Sequence, residues 1–304
     1  MKFSDAYELY KSYYTINFKY RSIQSANSVF PLYILPYFKD YNIQDIKKID
    51  ILNWLSNLDQ KPLAYKYKKD IYVFLAMFFK WNQKYLDLDK NVVSEVGFIL
   101  KNKDSQKQIV NIWTLKEFKR FIKNVDNIIY KDFFEFLFFT GCRLGEVIAL
   151  KFSDIKKDKI SITKTLIKGT NKVNSPKTKS SIRTIEIDKK LLKEIHNLKK
   201  YYTKQNGYFN SDFYIFGGNR HLSYTSIERY KNKACKKANV KQIRLHDFRH
   251  SHISLLLSKG IPVKAIAERV GHKDISMTLN IYAHVLEQDK KRLIKTINFM
   301  RFFG

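Results

Sequence analysis

The C-terminal half of the chain carries, in order, an arginine in TGCRLGEVIAL (Arg143), a His-x-x-Arg in LHDFRH (His246 and Arg249), and a histidine and a tyrosine in VGHKDISMTLNIYAH (His272 and Tyr282). Two arginines, two histidines and a tyrosine suffice to break a phosphodiester without a metal ion. As a nucleophile arrives, the non-bridging phosphate oxygens gain negative charge, and preorganised donors aimed at that charge are usually the largest catalytic term. Guanidinium is planar, permanently charged and bidentate toward phosphate, so Arg143 and Arg249 are assigned to those oxygens. Tyr282 is the candidate nucleophile. A phenol titrates near about 10, so it needs a base to take its proton, and His246 is the candidate, with the arginines adding positive potential.

The spacing says what must hold these groups. His246 and Arg249 are three apart and share a face if the segment is helical, and the same rule pairs Arg143 with Glu146. Glu146 is read as a carboxylate that orients the cationic cluster, and the apolar Leu144, Val147, Ile148 and Leu150 anchor its segment in a core. The leaving 5′-oxygen needs an acid. The segment NSPKTKSSIRTIEI offers Lys177 and Lys179 near the turn of a hairpin whose strands are SITKTLI and SIRTIEI. Spacing leaves both lysines open.

The ordered set Arg … His-x-x-Arg … His … Tyr resembles the tyrosine recombinase, or phage integrase, family, and the resemblance covers nearly the whole chain. It implies that Arg143 is the motif arginine, Glu146 its acidic partner, and Lys177 the hairpin lysine. His246 and Arg249 fill the His-x-x-Arg, His272 the second histidine and Tyr282 the nucleophile. The implied reaction forms a 3′-phosphotyrosyl bond, frees a 5′-hydroxyl and conserves the bond energy, so strands are rejoined with neither ATP nor a cofactor. The implied fold is mainly α with a small antiparallel β-sheet in the catalytic domain, an α+β, two-domain, C-shaped DNA clamp. The implied partners are double-stranded DNA and further copies of the chain, four acting through a four-way junction, with an accessory DNA-bending or excision factor as a further candidate. Many element-borne integrases begin with an arm-binding domain, whereas AYELYKSYY starts within a few residues of Met1. Either no arm sites are needed or the N terminus is trimmed.

Composition agrees with a nucleic-acid partner. Lys and Arg number 57 against 28 Asp and Glu in 304 residues, a formal charge of +29 that attracts polyanions. An AT-rich genome accounts for abundant Lys, Ile, Asn, Tyr and Phe but not for the depletion of acids. The 23 Phe and 20 Tyr are read mostly as packing residues. Cys142 and Cys235 are too far apart in sequence to form a metal-ligand pair, which points to a reducing cytoplasm, at the nucleoid for a DNA enzyme. IYVFLAMFF at 71–79 is too short to span a bilayer, and MKFSDAYELYK has charges where a signal peptide would be apolar.

Residues 1–98 read as a helical, SAM-like core-binding domain. Phe3, Ala6, Tyr7 and Leu9 start an amphipathic pattern, and Pro31 and Pro36 punctuate SVFPLYILPYF. Asp50 is a candidate cap for DILNWLSNL. A long helix runs from Ala64 to about Leu88, with Tyr72, Phe74, Leu75, Phe78 and Phe79 inward and Lys66, Lys68, Lys69 and Lys80 toward phosphate. Residues 99–111 read as a linker and 112–304 as the catalytic domain, opened by the capping box of Thr114 and Glu117. Helices continue to about Leu150, strands lie within 159–187, and FYIF at 213–216 adds an edge or buried segment. SYTSIERYKNKACKKANV is a basic helix suited to the major groove. Gly260 and Pro262 mark a stop and a start, and Gly271 a stop before His272. Asp274 or Ser276 caps the segment leading to Tyr282. Leu293, Ile294, Ile297 and Met300 form a terminal apolar stripe that docks on its own core or on a neighbouring protomer.

Other chemistries fit less well. His246 and His250 have metalloprotease spacing, but Asp247 stands where that motif requires Glu, and no third ligand is identifiable. A magnesium nuclease needs converging carboxylates, and these motifs are cationic. A non-catalytic DNA clamp has no need of the full catalytic set. An integrase or excision enzyme of a mobile element is the leading expectation, with a Xer-like resolvase of chromosome or plasmid dimers as the alternative. A relaxing topoisomerase would share the nucleophile without needing assembly.

Overall fold

A computed structural model describes residues 1–102, 111–167, 173–174 and 182–272. The chain divides into two compact units, Met1–Lys107 and Gln108–Gly304.

The first unit is helical: α1 (Phe3–Asn17), α2 (Tyr20–Val29), α3 (Leu35–Phe38), α4 (Lys48–Gln60), α5 (Tyr65–Tyr85) and α6 (Val92–Val96). Its core is aromatic, with Phe78 of α5 lying 4.7 Å from Phe3, 5.4 Å from Tyr10 and 5.8 Å from Phe30. Several sequence readings need correction. The inward residue of α1 is Tyr10, whereas Leu9 is exposed. Pro31 and Pro36 do punctuate the segment as read, each standing in the first turn of a new element, Pro31 in a wide π turn over Phe30–Ile34 and Pro36 in α3, where its missing N–H costs little. Asp50 lies inside α4, three residues past the N-cap Lys47, and its carboxylate accepts the Lys47 backbone N–H at 2.8 Å. Lys68 is buried and bound to Asp59, through the backbone carbonyl at 2.6 Å and the carboxylate at 3.0 Å. It is therefore not available to a phosphate, while Lys66, Lys69 and Lys80 are exposed.

The second unit opens with α7 (Leu115–Lys123), capped as expected by Thr114 and Glu117, then α8 (Ile128–Thr140) and α9 (Leu144–Ile148). The strands are β1 (Ile155–Lys156), β2 (Lys159–Ile162), β3 (Thr165–Leu166), β4 (Val173–Asn174) and β5 (Arg183–Glu186). They form an antiparallel sheet ordered β1-β2-β5, with Ile160 opposite Ile185, and a separate β3-β4 ladder. Next come α10 (Lys189–Asn206), α11 (Tyr224–Ala238), α12 (Asp247–Ser258) and α13 (Val263–Val270). The sequence reading missed α10, although Asp188 caps it and Leu191, Ile195, Leu198 and Tyr202 give it a buried stripe. Residues 213–216 form no strand. They are a buried segment joined by isolated bridges from Tyr214 to Lys151 and Gly218. Gly260 and Gly271 end α12 and α13 with positive φ, as their positions implied. Most of the linker, Lys177, Lys179, Asp274, Ser276, Tyr282 and the terminal apolar stripe lie outside the described residues.

Candidate active site

Phe248, between His246 and Arg249, fixes the start of α12. It is fully buried against Trp113 at 5.1 Å and Phe134 at 5.5 Å, and so fixes the helix turn that carries both polar residues. His246 is the N-cap of that helix. Arg143 occupies the equivalent position of α9 in extended conformation. It meets Glu146 through a capping geometry rather than through a shared helix face. Glu146 accepts the Arg143 backbone N–H at 2.9 Å and its Nη1 at 2.9 Å.

The C-terminal end of α13 organises the cations. Three consecutive carbonyls each accept an arginine: Arg269 from Arg183 Nε at 2.8 Å, Val270 from Arg249 Nη1 at 2.7 Å, and Gly271 from Arg143 Nη2 at 2.9 Å. A helix C-terminus presents unsatisfied carbonyls and partial negative charge, so it is a natural seat for guanidinium groups. Arg249 Nη1 also donates to the Gly141 carbonyl at 2.8 Å, at the end of α8. Gly141 has φ of 64°, and a Cβ there would lie 2.5 Å from the His252 ring, so only glycine lets α8 end this close to α12.

Glu146 is 2% exposed and lies between two arginines, accepting Arg183 Nη2 at 2.9 Å and Nη1 at 3.2 Å as well as Arg143. Burial alone would raise its carboxyl, but hydrogen bonds from Arg183 and the Arg143 backbone outweigh that and hold it below the ordinary carboxylate range. Arg183 was not singled out from the sequence. The signal was present: in SIRTIEI, strand alternation places Arg183 on the same face as the buried Ile185 and Ile187. An arginine on a buried strand face needs a carboxylate, and RLGE supplies one.

Arg249 is 2% exposed, has no carboxylate partner among the described residues, and its Nη2 is buried with no hydrogen-bond acceptor. Burial, then the neighbouring Arg143, pull its guanidinium down to about 9, which still leaves it charged at neutral pH. Burial, then the facing His250 and Arg249, lower His246 to about 4. His250 was weighed in the sequence only as a metal ligand. Its ring stands edge-on to His246, centroids 4.9 Å apart. Burial, then Arg249 and Arg143, lower His272 to about 4. The structure thus brings Arg143, Glu146, His246, Arg249 and His272 into one electropositive cluster. These surroundings hold the His246 and His272 rings toward the neutral form. Among the described residues, no group of three or more His, Cys, Asp or Glu is arranged to hold a metal ion.

Residues 111–289 match the phage integrase family, and residues 2–58 match the phage integrase N-terminal SAM-like domain. This chain belongs to the phage integrase family. It is 31% identical over 307 residues to the ICEBs1 integrase of Bacillus subtilis (strain 168), covering 96% of this chain and 82% of that protein. It is also 31% identical over 281 residues to a XerC-like tyrosine recombinase of Caldanaerobacter subterraneus, covering 84% and 72%. The fold is that of the Tn1549 transposon integrase solved with transposon right end DNA, with a TM-score of 0.73 at 21% identity, covering 97% of this chain and 100% of that one. The protein is a tyrosine recombinase, an enzyme that cleaves and rejoins DNA. No helix among the described residues of the recombinase is long and apolar enough to cross a membrane.

Proposed function

We propose that this recombinase integrates or excises a mobile element through a 3′-phosphotyrosyl intermediate, with Arg143, Lys177, His246, Arg249, His272 and Tyr282 as its catalytic residues. The observation that carries the assignment is the orphaned Nη2 of Arg249, a charged donor buried without an acceptor beside a 37% exposed Arg143 side chain. A buried unpaired donor costs stability, and a phosphate oxygen would satisfy it. Arg143 and Arg249 take the two non-bridging oxygens. The negative charge of the bound phosphate raises His246 from its low value in the DNA-free protein, so its ring takes the Tyr282 proton as the phenol oxygen attacks phosphorus. Lys177 gives a proton to the departing 5′-oxygen, and the scissile P–O bond breaks as the tyrosyl bond forms. His272 donates to the same phosphate. Glu146, held by Arg183, keeps Arg143 aimed. Rejoining runs these steps backward from a 5′-hydroxyl of the partner strand.

The division of the chain supports a core-binding domain over 1–98, a linker over 99–111 and a catalytic domain over 112–304. The charge of +29 and the DNA-bound relatives support action on double-stranded DNA, which this reading places at the nucleoid within the cytoplasm. Lambda integrase has been solved as a tetramer bound to a Holliday junction. The same assembly, through the terminal apolar stripe, with an accessory bending or excision factor, is the reading for this chain. The XerC-like relative favours resolution of DNA dimers as the second reading. The test uses nicked duplexes tiling the DNA beside the gene, quenched with detergent after adding protein. Wild type is expected to leave a protein–DNA adduct on one fragment, and Tyr282→Phe is expected to bind that fragment without an adduct. An adduct that survives in Tyr282→Phe would move the nucleophile elsewhere.

A further inference from the structure

Building on the DNA substrate of the preceding reading, we propose that one stripe of α11 reads base sequence in the major groove, with Arg229 recognising a guanine and Asn232 an adenine. The sequence shows only that this helix is basic; the structure sorts its residues by what they are already bonded to.

The inner face is committed to the fold. Ile227, Ala234 and Cys235 are buried, and Lys231, 4% exposed, donates to the Ile243 carbonyl at 2.6 Å and pairs with Glu228 at 2.7 Å. One flank is committed as well. Lys233 and Lys237 both bind Asp126, at 2.9 and 3.0 Å, and Tyr230 stacks on Tyr130 with centroids 3.8 Å apart. What is left is Thr225, Arg229, Asn232 and Lys236, at spacings of 4, 3 and 4, so they lie along one line of the helix. All four are exposed, and among the described residues their side chains make no hydrogen bond or ion pair. A free stripe on a helix otherwise pinned by ion pairs presents donors to something outside the fold.

The chemistry of the stripe identifies that something. Arginine bonds guanine O6 and N7 bidentately, and asparagine bonds adenine N6 and N7, both in the major groove, which admits one α-helix. Three residues of helix rise about 4.5 Å, against about 3.4 Å per base pair, so the two contacts fall on adjacent pairs or one pair apart. Lys236, a flexible point charge, suits a phosphate. The Arg229 guanidinium lies 5.6 Å from the Tyr230 ring, which the Tyr130 stack holds in place, so the arginine is partly preorganised.

The anchoring of α11 explains why reading there selects a cleavage position. The Ile243 carbonyl that holds Lys231 lies three residues before His246, and Arg244 next to it is bound to the buried Asp247 at 2.9 Å. The reading helix and the phosphate-binding helix α12 therefore meet at one short, doubly tied segment. Lys231 acts as a positioning residue that sets the register between base reading and phosphate binding.

The test is selection of bound duplexes from a randomised pool by the full chain carrying Tyr282→Phe, followed by sequencing. Arg229→Ala, Arg229→Lys, Asn232→Ala and Lys236→Ala are then made in that background, each checked for an unchanged melting temperature. The parent is expected to select a G within two pairs of an A. Arg229→Ala and Arg229→Lys are expected to lose the preference at the G by about five- to hundredfold, and Asn232→Ala at the A alone. Lys236→Ala is expected to weaken all sequences equally. Variants at 229 and 232 that select the same sequence as the parent overturn the assignment of α11 while leaving the recombinase reading intact. A parent that binds no duplex overturns both.

Discussion

Arg249→Met separates a guanidinium kept for phosphate from one kept for the fold. Burial among cations pulls the Arg249 guanidinium down to about 9, which disfavours the cation by about 5 kcal/mol. Methionine removes that burden with a side chain of similar length. It also leaves the Gly141 and Val270 carbonyls short of a donor, at about 1–3 kcal/mol each. Set against each other, these leave the variant between about 3 kcal/mol more stable and about 1 kcal/mol less stable than wild type, so any fall in melting temperature should stay within about 2–4 °C for a domain of this size. Had Arg249 been one member of a buried ion pair, its loss would cost about 3–5 kcal/mol. Cleavage behaves differently, because removing one preorganised donor from a developing oxyanion costs about 10²–10³ in rate. The assay pairs thermal unfolding by circular dichroism with single-turnover formation of the protein–DNA adduct on a nicked duplex. A variant that melts far below wild type, or one that cleaves at the wild-type rate, would refute the reasoning.

Glu146→Gln, by contrast, leaves Arg183 and Arg143 facing each other without a carboxylate. It should cost about 3–5 kcal/mol, visible as a clear fall in melting temperature, and an unchanged melt would show that Glu146 does not hold the arginines. His246 and His272 ordinarily titrate at 6.5 and fall to about 4 in the fold, so between those values the unfolded chain binds more protons. Their contribution to stability is full above pH 6.5 and lost as pH falls toward 4. The gap in urea midpoint between wild type and His246→Gln/His272→Gln should therefore change across that window, and a constant gap counts against burial of neutral rings. Burial, then Glu135, raise Asp132 to about 7, so its favourable protonated form is lost as pH rises through 7. Asp132→Asn should be more stable than wild type at pH 8, by at most roughly 4 kcal/mol, and the advantage should shrink toward pH 5; an equal difference at both values would place Asp132 in water.

The residue types and order of the site were legible in the sequence because the chemistry dictates them. Few side chains bind phosphate oxygens or relay a phenol proton, and the sequence reading that named Arg143, His246, Arg249 and His272 picked out residues the structure brings together, while Tyr282 lies outside the described residues. The helix ends were legible too, since Gly260, Pro262, Gly271 and the Thr114–Glu117 box are local devices whose physics lies within a few residues. What only tertiary structure decided was which cation is committed to which partner. Nothing local distinguishes Lys68, buried on Asp59, from its exposed neighbours Lys66 and Lys69. Nothing local distinguishes Arg183, locked to Glu146, from Arg229, which makes no ion pair among the described residues. In a chain with 57 basic residues the types are plentiful. Their roles depend on burial and on carbonyls and carboxylates brought from distant segments, such as the end of α13 that gathers Arg143, Arg183 and Arg249.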